Sequence, residues 1–111
     1  MKNITPADLK KALDAGTPID LVDLQDQDLY RHSHIPGAIN IPFDQFEQYY
    51  PGTLKDREAM IVLHGEFDEL GKGAKAAEAL EAAGYINVSR IVGGLRGWQE
   101  AGFPTEGGWE S

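Results

Sequence analysis

The chain has 111 residues, of which 41% are hydrophobic and 25% are charged. These fractions are typical of a folded globular protein and disfavour both intrinsic disorder and a membrane-embedded class. The length suits one domain, and we expect residues 1–111 to form it. Eighteen acidic against ten basic residues give a formal net charge of -8, which would repel nucleic-acid phosphates and anionic lipid surfaces. We therefore expect neither a nucleic acid nor a membrane among its partners.

The absence of cysteine is the strongest negative feature of the composition. It excludes disulfides, thiolate zinc sites, iron–sulfur clusters held by the chain, and every mechanism that needs a protein thiolate. No metal and no other cofactor is predicted. The first residues lack the apolar run of a signal peptide, and no apolar run is long enough to cross a bilayer, so we expect a cytoplasmic location.

The first predicted elements are a helix and a strand. Thr5 is a good N-cap and Pro6 suits the first helical position, so a helix is expected from there to about Asp14. Residues 19–24 mix aliphatic residues with aspartates, which is typical of a buried strand that ends at a polar rim. Asp23 is expected near that rim.

The middle of the chain combines turns with short elements. Residues 34–42 hold two prolines and a glycine around a short aliphatic core, which predicts a turn, a brief strand and another turn. Residues 43–50 can then form a short helix. Residues 59–63 are continuously apolar, as in central parallel strands that are covered on both faces. Helices are therefore expected on either side of that strand.

The alanine-rich stretch 72–83 predicts a helix, with Gly84 as a good C-terminal stop. Ala74, Ala77 and either Leu80 or Glu81 lie at helical spacing. Because most of these side chains are small, the helix can lie close to its neighbours.

The end of the chain repeats the same alternation. Residues 87–92 contain a β-branched run that predicts another strand, two glycines then predict a turn, and residues 95–101 predict a last helix with Trp98 in the core. Strand and helix patterns thus alternate along the chain, without internal repeats. This order predicts an α/β fold with a doubly wound parallel sheet.

The segment between the buried strand at 59–63 and the helix at 72–83 is the candidate binding loop, because α/β folds bind ligands at the carboxyl ends of their strands. It consists of His64, Gly65, Glu66, Phe67, Asp68, Glu69, Leu70, Gly71 and Lys72. Amides at a helix N-terminus favour a small anion such as sulfate, thiosulfate or phosphate, whereas the three carboxylates oppose it. Two interpretations stay open, an anion-binding loop and a solvated loop whose charges neutralise each other, and the second is favoured. Phe67 is either an apolar plug or an exposed contact for a partner.

The histidines have a structural and a chemical interpretation. His64 has the chemistry of a general base, but the loop offers no serine, cysteine or threonine for it to activate, so a structural role is favoured. His32 and His34 form an H-x-H pair, for which metal binding is the less favoured interpretation. A hydrogen bond that fixes the local turn is preferred for His34.

Two longer motifs resemble the signature of the rhodanese-like domain. The stretch DLVDLQDQDLYRHSHIPGAINIP, residues 20–42, resembles the family's strand, acidic-aromatic helix and G-H-I-P-G-A-x-N-I-P run, and VGGLRGW, residues 92–98, resembles its G-G-x-x-x-W turn and helix. Gln25 stands where an arginine is usual and Ser33 where a glycine is. The positions that match the family motifs include Asp23, His34, Pro36, Gly37, Gly93, Gly94 and Trp98. The resemblance implies a three-layer fold with a five-stranded parallel sheet flanked by helices.

The resemblance also implies what an active member would contain. Active rhodanese domains carry a cysteine at the end of the fourth strand that takes a sulfane sulfur as a persulfide, while loop amides and an arginine bind the substrate anion. Alignment places Gly65 at the nucleophile and Lys72 near the arginine. Both working residues of a sulfurtransferase are therefore replaced.

The related dual-specificity cell-cycle phosphatases share this fold and read H-C-E-F-x-x-E-R at the same place. The sequence HGEFDELG keeps the histidine, glutamate and phenylalanine of that motif. It has Gly65 for the cysteine and Gly71 for the arginine. Under either alignment, the cysteine and the arginine are both missing.

The resemblance and the missing residues lead to two main hypotheses. The first is a catalytically inactive binding or regulatory module, whose acidic loop attracts a protein partner with a basic surface. The alternative is a sulfurtransferase or phosphatase-like enzyme with residual activity that needs no thiol. A glycine introduced by engineering is a third hypothesis, which would explain Gly65 but not the missing arginine.

Overall fold

The computed structural model describes residues 1–66 and 71–108. Within them, the helices are α1 (Pro6–Asp14), α2 (Gln27–His32), α3 (Phe46–Thr53), α4 (Lys72–Ala82) and α5 (Gly94–Glu100). The strands are β1 (Lys2–Ile4), β2 (Asp20–Asp23), β3 (Ser33–His34), β4 (Ile39–Asn40), β5 (Ile61–His64), β6 (Val88–Ile91) and β7 (Glu106–Gly107). A 3-10 turn, Phe43–Gln45, leads directly into α3.

The central sheet has five parallel strands in the order β1-β6-β5-β2-β4. Buried apolar residues form two clusters, one on each face. One cluster contains Phe46 of α3 and Leu80 of α4, and the other contains Leu9 of α1 and Trp98 of α5. This confirms the predicted α/β fold, a doubly wound, three-layer arrangement with a five-stranded parallel sheet flanked by helices.

The two clusters follow from the alternation of side chains along each strand. In β2, Leu21 belongs to the cluster with α1 and α5, whereas Val22 belongs to the cluster with α3 and α4. In β5, Val62 and Leu63 divide between the clusters in the same way. Because both faces are buried, the residues inside these strands are apolar, and the polar residues Asp23 and His64 stand at the strand ends.

The start of α1 confirms the capping prediction. Thr5 adopts an extended backbone, and its hydroxyl accepts a hydrogen bond of 3.1 Å from the N–H of Asp8. Pro6 occupies the first helical turn, where its missing N–H costs no hydrogen bond. The helix ends with Asp14, as predicted.

The buried face of α4 includes two of the positions noted at helical spacing, Ala77 and Leu80. The buried residues are Gly73, Ala76, Ala77 and Leu80, whereas Ala74 is only half-buried. In a row composed largely of alanines, side-chain size does not distinguish neighbouring positions, so the spacing alone did not fix the rotation of the helix. At Gly73 the helix lies against the sheet, since a Cβ atom there would be 3.6 Å from the Cβ of Arg90.

Two elements differ from the prediction. The α-helix expected over 43–50 begins at Phe46 and continues through Pro51 to Thr53, and the buried side chain of Leu54 follows it. Strand β1 was not predicted from the residue pattern. It is only three residues long, and it is a strand because it pairs with β6, with Ile4 opposite Ile91.

Strands β3 and β7 form a separate antiparallel pair, with His34 opposite Glu106. Across the described part of the chain, no helix combines the length and the apolarity needed to cross a bilayer.

Candidate functional site

The carboxyl ends of β2 and β5 lie next to each other at the centre of the sheet, with Asp23 opposite His64. Beyond these residues the chain departs in opposite directions. The segment after β2 leads to the edge strand β4, and the segment after β5 leads through α4 to β6. Ligands of open α/β sheets bind at such a topological switch point. The structure thus places the beginning of the candidate binding loop where a ligand site is expected.

Gly65 is buried directly after β5, and its carbonyl is fixed by α5. The carbonyl of Gly65 accepts the N–H of Leu95 at 2.9 Å, and that of Glu66 accepts the N–H of Arg96 at 3.1 Å. Two amides of the first turn of α5 are therefore bonded to the loop backbone. They are not available to an anion unless these bonds break.

Gly94 allows this contact because it has no side chain. A Cβ atom at Gly94 would lie 2.8 Å from the carbonyl oxygen of Gly65 and 3.0 Å from that of Glu66. The φ angle of Gly94 is +62°, a left-handed conformation that favours glycine. The second glycine of the VGGLRGW motif thus allows α5 to contact the start of the candidate loop.

The candidate binding loop ends at the start of α4. Gly71 is the N-cap residue, with a φ of 69° and no side-chain capping bond, and its carbonyl accepts the N–H of Lys75 at 3.0 Å. The ammonium of Lys72 lies 5.9 Å from the centre of the Phe43 ring, a cation–π contact. The remaining loop residues, Phe67, Asp68, Glu69 and Leu70, lie outside the described residues. The two interpretations of Phe67, an apolar plug and an exposed contact for a partner, therefore stay predictions.

Asp23 ends its strand among polar residues, as expected, and is completely buried there. One carboxylate oxygen accepts the N–H of Gln25 at 2.8 Å, and the other accepts the side-chain amide of Gln25, also at 2.8 Å. The side-chain amide of Asn40 donates to the carbonyls of Asp23 and Gln25, at 3.0 and 2.9 Å. The bonds from Gln25 replace the water that the carboxylate loses, and the bonds from Asn40 tie the end of β4 to the end of β2.

His64 is also fully buried, on the sheet face that carries α1 and α5. Its Nδ1 lies 3.1 Å from the carbonyl of Gly65, to which the neutral ring donates, and its Nε2 lies 4.0 Å from a carboxylate oxygen of Asp23. Within the described residues, Nε2 has no hydrogen-bond partner. Burial holds the pKa of His64 below its ordinary value, although the charge of Asp23 opposes this shift. A neutral, enclosed imidazole supports the structural role that was favoured for His64.

His34 makes the turn-fixing hydrogen bond expected of it. Its ring stacks on Tyr30, with 4.0 Å between ring centres, and its Nδ1 donates to the carbonyl of Tyr30 at 2.7 Å. The Tyr30 hydroxyl in turn donates to the carbonyl of Ala38 at 2.6 Å. The region from α2 to β4, which contains Pro36 and Gly37, is therefore held by side chains of the family motif. Across residues 1–66 and 71–108, no three His, Asp or Glu side chains are grouped closely enough to hold a metal ion.

One crevice has no counterpart in the predictions made from the sequence. It has a volume of about 490 Å³ and lies between the carboxyl ends of β2 and β4 and the start of α3. We call it the acidic crevice, and its lining includes Asp26, Gln27, Asn40, Asp44, Gln45 and Tyr49. These polar residues are scattered over 24 positions of sequence, and no motif connects them, so only the tertiary structure reveals the crevice.

Comparison with known proteins gives consistent matches. The family model of the rhodanese-like domain matches residues 5–101. The chain is 30% identical over 108 residues to the thiosulfate sulfurtransferase GlpE of Haemophilus influenzae, covering 95% of this chain and 94% of that protein. It is 31% identical over 105 residues to the HTH-type transcriptional regulator Rv0324 of Mycobacterium tuberculosis, covering 95% of this chain and 45% of the regulator.

A solved structure agrees with these matches. The solution structure of the rhodanese-like domain of an Anabaena protein superposes with a TM-score of 0.85 and 30% identity, covering 96% of this chain and 80% of that one. The chain spans less than half the length of several of the curated relatives that it matches, the regulator among them.

Proposed function

The chain belongs to the rhodanese-like domain family as a member without the active-site cysteine, and from this we propose that it is a non-catalytic binding module that recognises a basic surface of a protein partner. Its relatives include thiosulfate sulfurtransferases, whose names state a transfer of sulfur. This chain would recognise a protein partner instead of transferring sulfur. The carboxyl end of β5, where an active relative would transfer sulfur, would here bind the partner.

The observation that carries the proposal is Gly65. This residue follows β5 directly at the switch point of the sheet and supplies neither a thiol nor any other nucleophile. The rest of the chain contains no cysteine that another arrangement of the loop would bring to this position. Covalent transfer of sulfur or phosphate through a protein thiolate is thereby excluded.

Two further features support recognition over chemistry. His64 is enclosed on the opposite side of the strand end from α4, so its imidazole does not reach solvent to activate a water molecule. The loop backbone, moreover, already uses the amides of Leu95 and Arg96. The alternative hypothesis, residual activity without a thiol, gains no support from this geometry.

The charge of the chain supports a basic partner. The candidate loop alone contains Glu66, Asp68 and Glu69, in a protein whose formal net charge is -8. Such a field accelerates association with a positively charged surface, and the rate falls as salt screens the charges. If binding changes the activity of the partner, the chain acts as a regulator of that activity.

The first test of this proposal is an assay for the family chemistry. Wild-type protein is assayed for transfer of sulfur from thiosulfate to cyanide and for hydrolysis of an aryl phosphate, beside a cysteine-containing relative as the positive control. We expect no turnover above the rate without protein. Sustained turnover by the wild-type chain would refute a non-catalytic role.

The second test is binding. Partners are captured from the source cell with wild-type protein and with a variant in which Glu66→Gln, Asp68→Asn and Glu69→Gln remove the loop charges. A matched control carries the same number of neutralised acids on the exposed positions Glu58, Glu78 and Glu100. Each captured protein is purified, and its affinity for the three chains is measured. We expect a partner whose binding is lost only with the loop variant; equal binding to all three chains would contradict the proposal.

A further inference from the structure

The acidic crevice lies beside the switch point rather than in the candidate loop. Asp26 and Gln27 belong to the segment after β2, Asn40 ends β4, and Asp44 and Tyr49 belong to the turn and helix that follow. The crevice is thus a second opening at the carboxyl edge of the same sheet. Its volume of about 490 Å³ falls in the range of known ligand pockets.

Within residues 1–66 and 71–108, the two carboxylates of the crevice have no hydrogen-bond or ion-pair partner. Asp26 is the N-cap residue of α2, yet its side chain makes no capping hydrogen bond. An aspartate in this position ordinarily accepts a bond from the first turn of its helix. The carboxylate of Asp44 likewise makes no hydrogen bond or ion pair with any other described residue. Both residues are exposed and line the crevice, and neither carboxylate has a counter-ion among the described residues.

The rest of the lining accepts hydrogen bonds and offers an aromatic face. Asn40 uses its NH₂ group on two backbone carbonyls, which leaves its side-chain oxygen as an acceptor. Tyr49 is 49% exposed, unlike its neighbour Tyr50, which packs against Phe46 and Tyr85. No lysine, arginine or histidine is among the described residues that line the crevice. Its shape and charge suit a cation that also stacks on a ring.

Arginine fits this description better than a metal ion or a lysine. Within the described residues, no three metal-binding side chains come together. A guanidinium group is planar, presents five N–H donors to separated acceptors, and stacks on aromatic faces, whereas an ammonium is a strongly hydrated point charge.

We propose that the acidic crevice binds an arginine side chain of the partner protein, between the carboxylates of Asp26 and Asp44 and against the ring of Tyr49. This inference rests on the proposed binding function and states which chemistry the partner presents.

The test is a titration of the ¹⁵N-labelled chain, followed by amide chemical shifts, with N-acetyl-arginine amide as the probe. N-acetyl-citrulline amide is the matched control, because it has the same shape without the charge. We expect the arginine probe to shift the amides of Asp26, Asp44 and Tyr49, and the citrulline probe to leave them unchanged. Shifts that are equal for both probes, that lie elsewhere, or that are absent up to the solubility of the probe would overturn the inference.

Variants sharpen the same experiment. Asp44→Asn should weaken binding of the probe roughly tenfold, since a hydrogen bond to a charged group is lost, and Tyr49→Ala roughly threefold. Glu100→Gln removes an exposed charge outside the crevice and should leave the affinity unchanged. Asp44 and Tyr49 are exposed, so their variants should keep the spectrum of the folded chain. An Asp44→Asn variant that binds as tightly as wild type would refute the assigned position.

The captured partner separates this inference from the proposed function. If loop neutralisation abolishes partner binding but the arginine probe does not bind, the proposed function stands and the crevice has another role. If the probe binds in the crevice but no partner depends on the loop charges, the crevice assignment stands and the loop proposal fails.

Discussion

Replacement of Gly94 by alanine would place a methyl group 2.8 Å from the carbonyl oxygen of Gly65 and 3.0 Å from that of Glu66. Both atoms belong to backbone that α5 holds by hydrogen bonds, so neither moves without cost. The left-handed conformation at φ +62° costs an alanine about 1–2 kcal/mol, and overpacking adds about 1–3 kcal/mol. We therefore expect Gly94→Ala to lower the free energy of unfolding by about 2–5 kcal/mol.

Gly102 provides the matched control for this substitution. Its φ is +83°, but a Cβ atom there would have no neighbour within 4 Å. Gly102→Ala should therefore cost only the conformational part, about 1–2 kcal/mol. Both free energies are measured by urea unfolding, and amide spectra show whether the loop shifts. Equal destabilisation by the two substitutions would refute the argument that close contact with the loop requires Gly94.

Three further predictions concern the strand ends. Burial holds the pKa of His64 below 6.5, so the folded chain binds fewer protons than the unfolded chain as the pH falls. The stability that the neutral imidazole contributes is complete above pH 6.5 and is lost as the pH falls below that value. Urea unfolding across this range should show the loss in wild type but not in His64→Gln. Asp23→Ala should lower the free energy of unfolding by about 2–4 kcal/mol, because it leaves buried amide donors without their acceptor. The control, Asp28→Ala at an exposed position of α2, should change it by less than about 0.5 kcal/mol. Similar values for both would contradict the role of Asp23. Gly65→Cys should restore little or no transfer from thiosulfate to cyanide, since the family's arginine is also missing, and turnover comparable to that of a cysteine-containing relative would show that only the thiol was lost.

Much of the fold was predictable because local patterns and tertiary packing agree. The cap at Thr5, the apolar run of β5 and the glycine turn before α5 each specify an element without reference to the rest of the chain. Prediction was incomplete where local signals are weak. Strand β1 has three residues and exists through its pairing with β6, and the rotation of α4 was not readable from a row of small residues.

The candidate site likewise has features that were predictable from the sequence and features that depend on tertiary contacts. Its position after β5 and the missing nucleophile at Gly65 were accessible from motif order alone. The hydrogen bonds that use the carbonyls of Gly65 and Glu66 were not, because they join the loop to α5, some thirty residues away. Nor was the burial of Asp23, because it depends on how Gln25 folds back onto the carboxylate and how neighbouring segments cover it.

The sequence by itself determined the order of elements, the family resemblance and the absence of thiol chemistry, since each depends on residue identity and spacing along the chain. The tertiary structure decided which polar groups are enclosed and which remain available. It buries His64 and Asp23 side by side at the strand ends, and it brings Asp26 and Asp44 to one crevice, where neither carboxylate has a partner among the described residues. The physical reason is that burial and charge pairing depend on distances between segments remote in sequence, which only the assembled sheet and its helices establish.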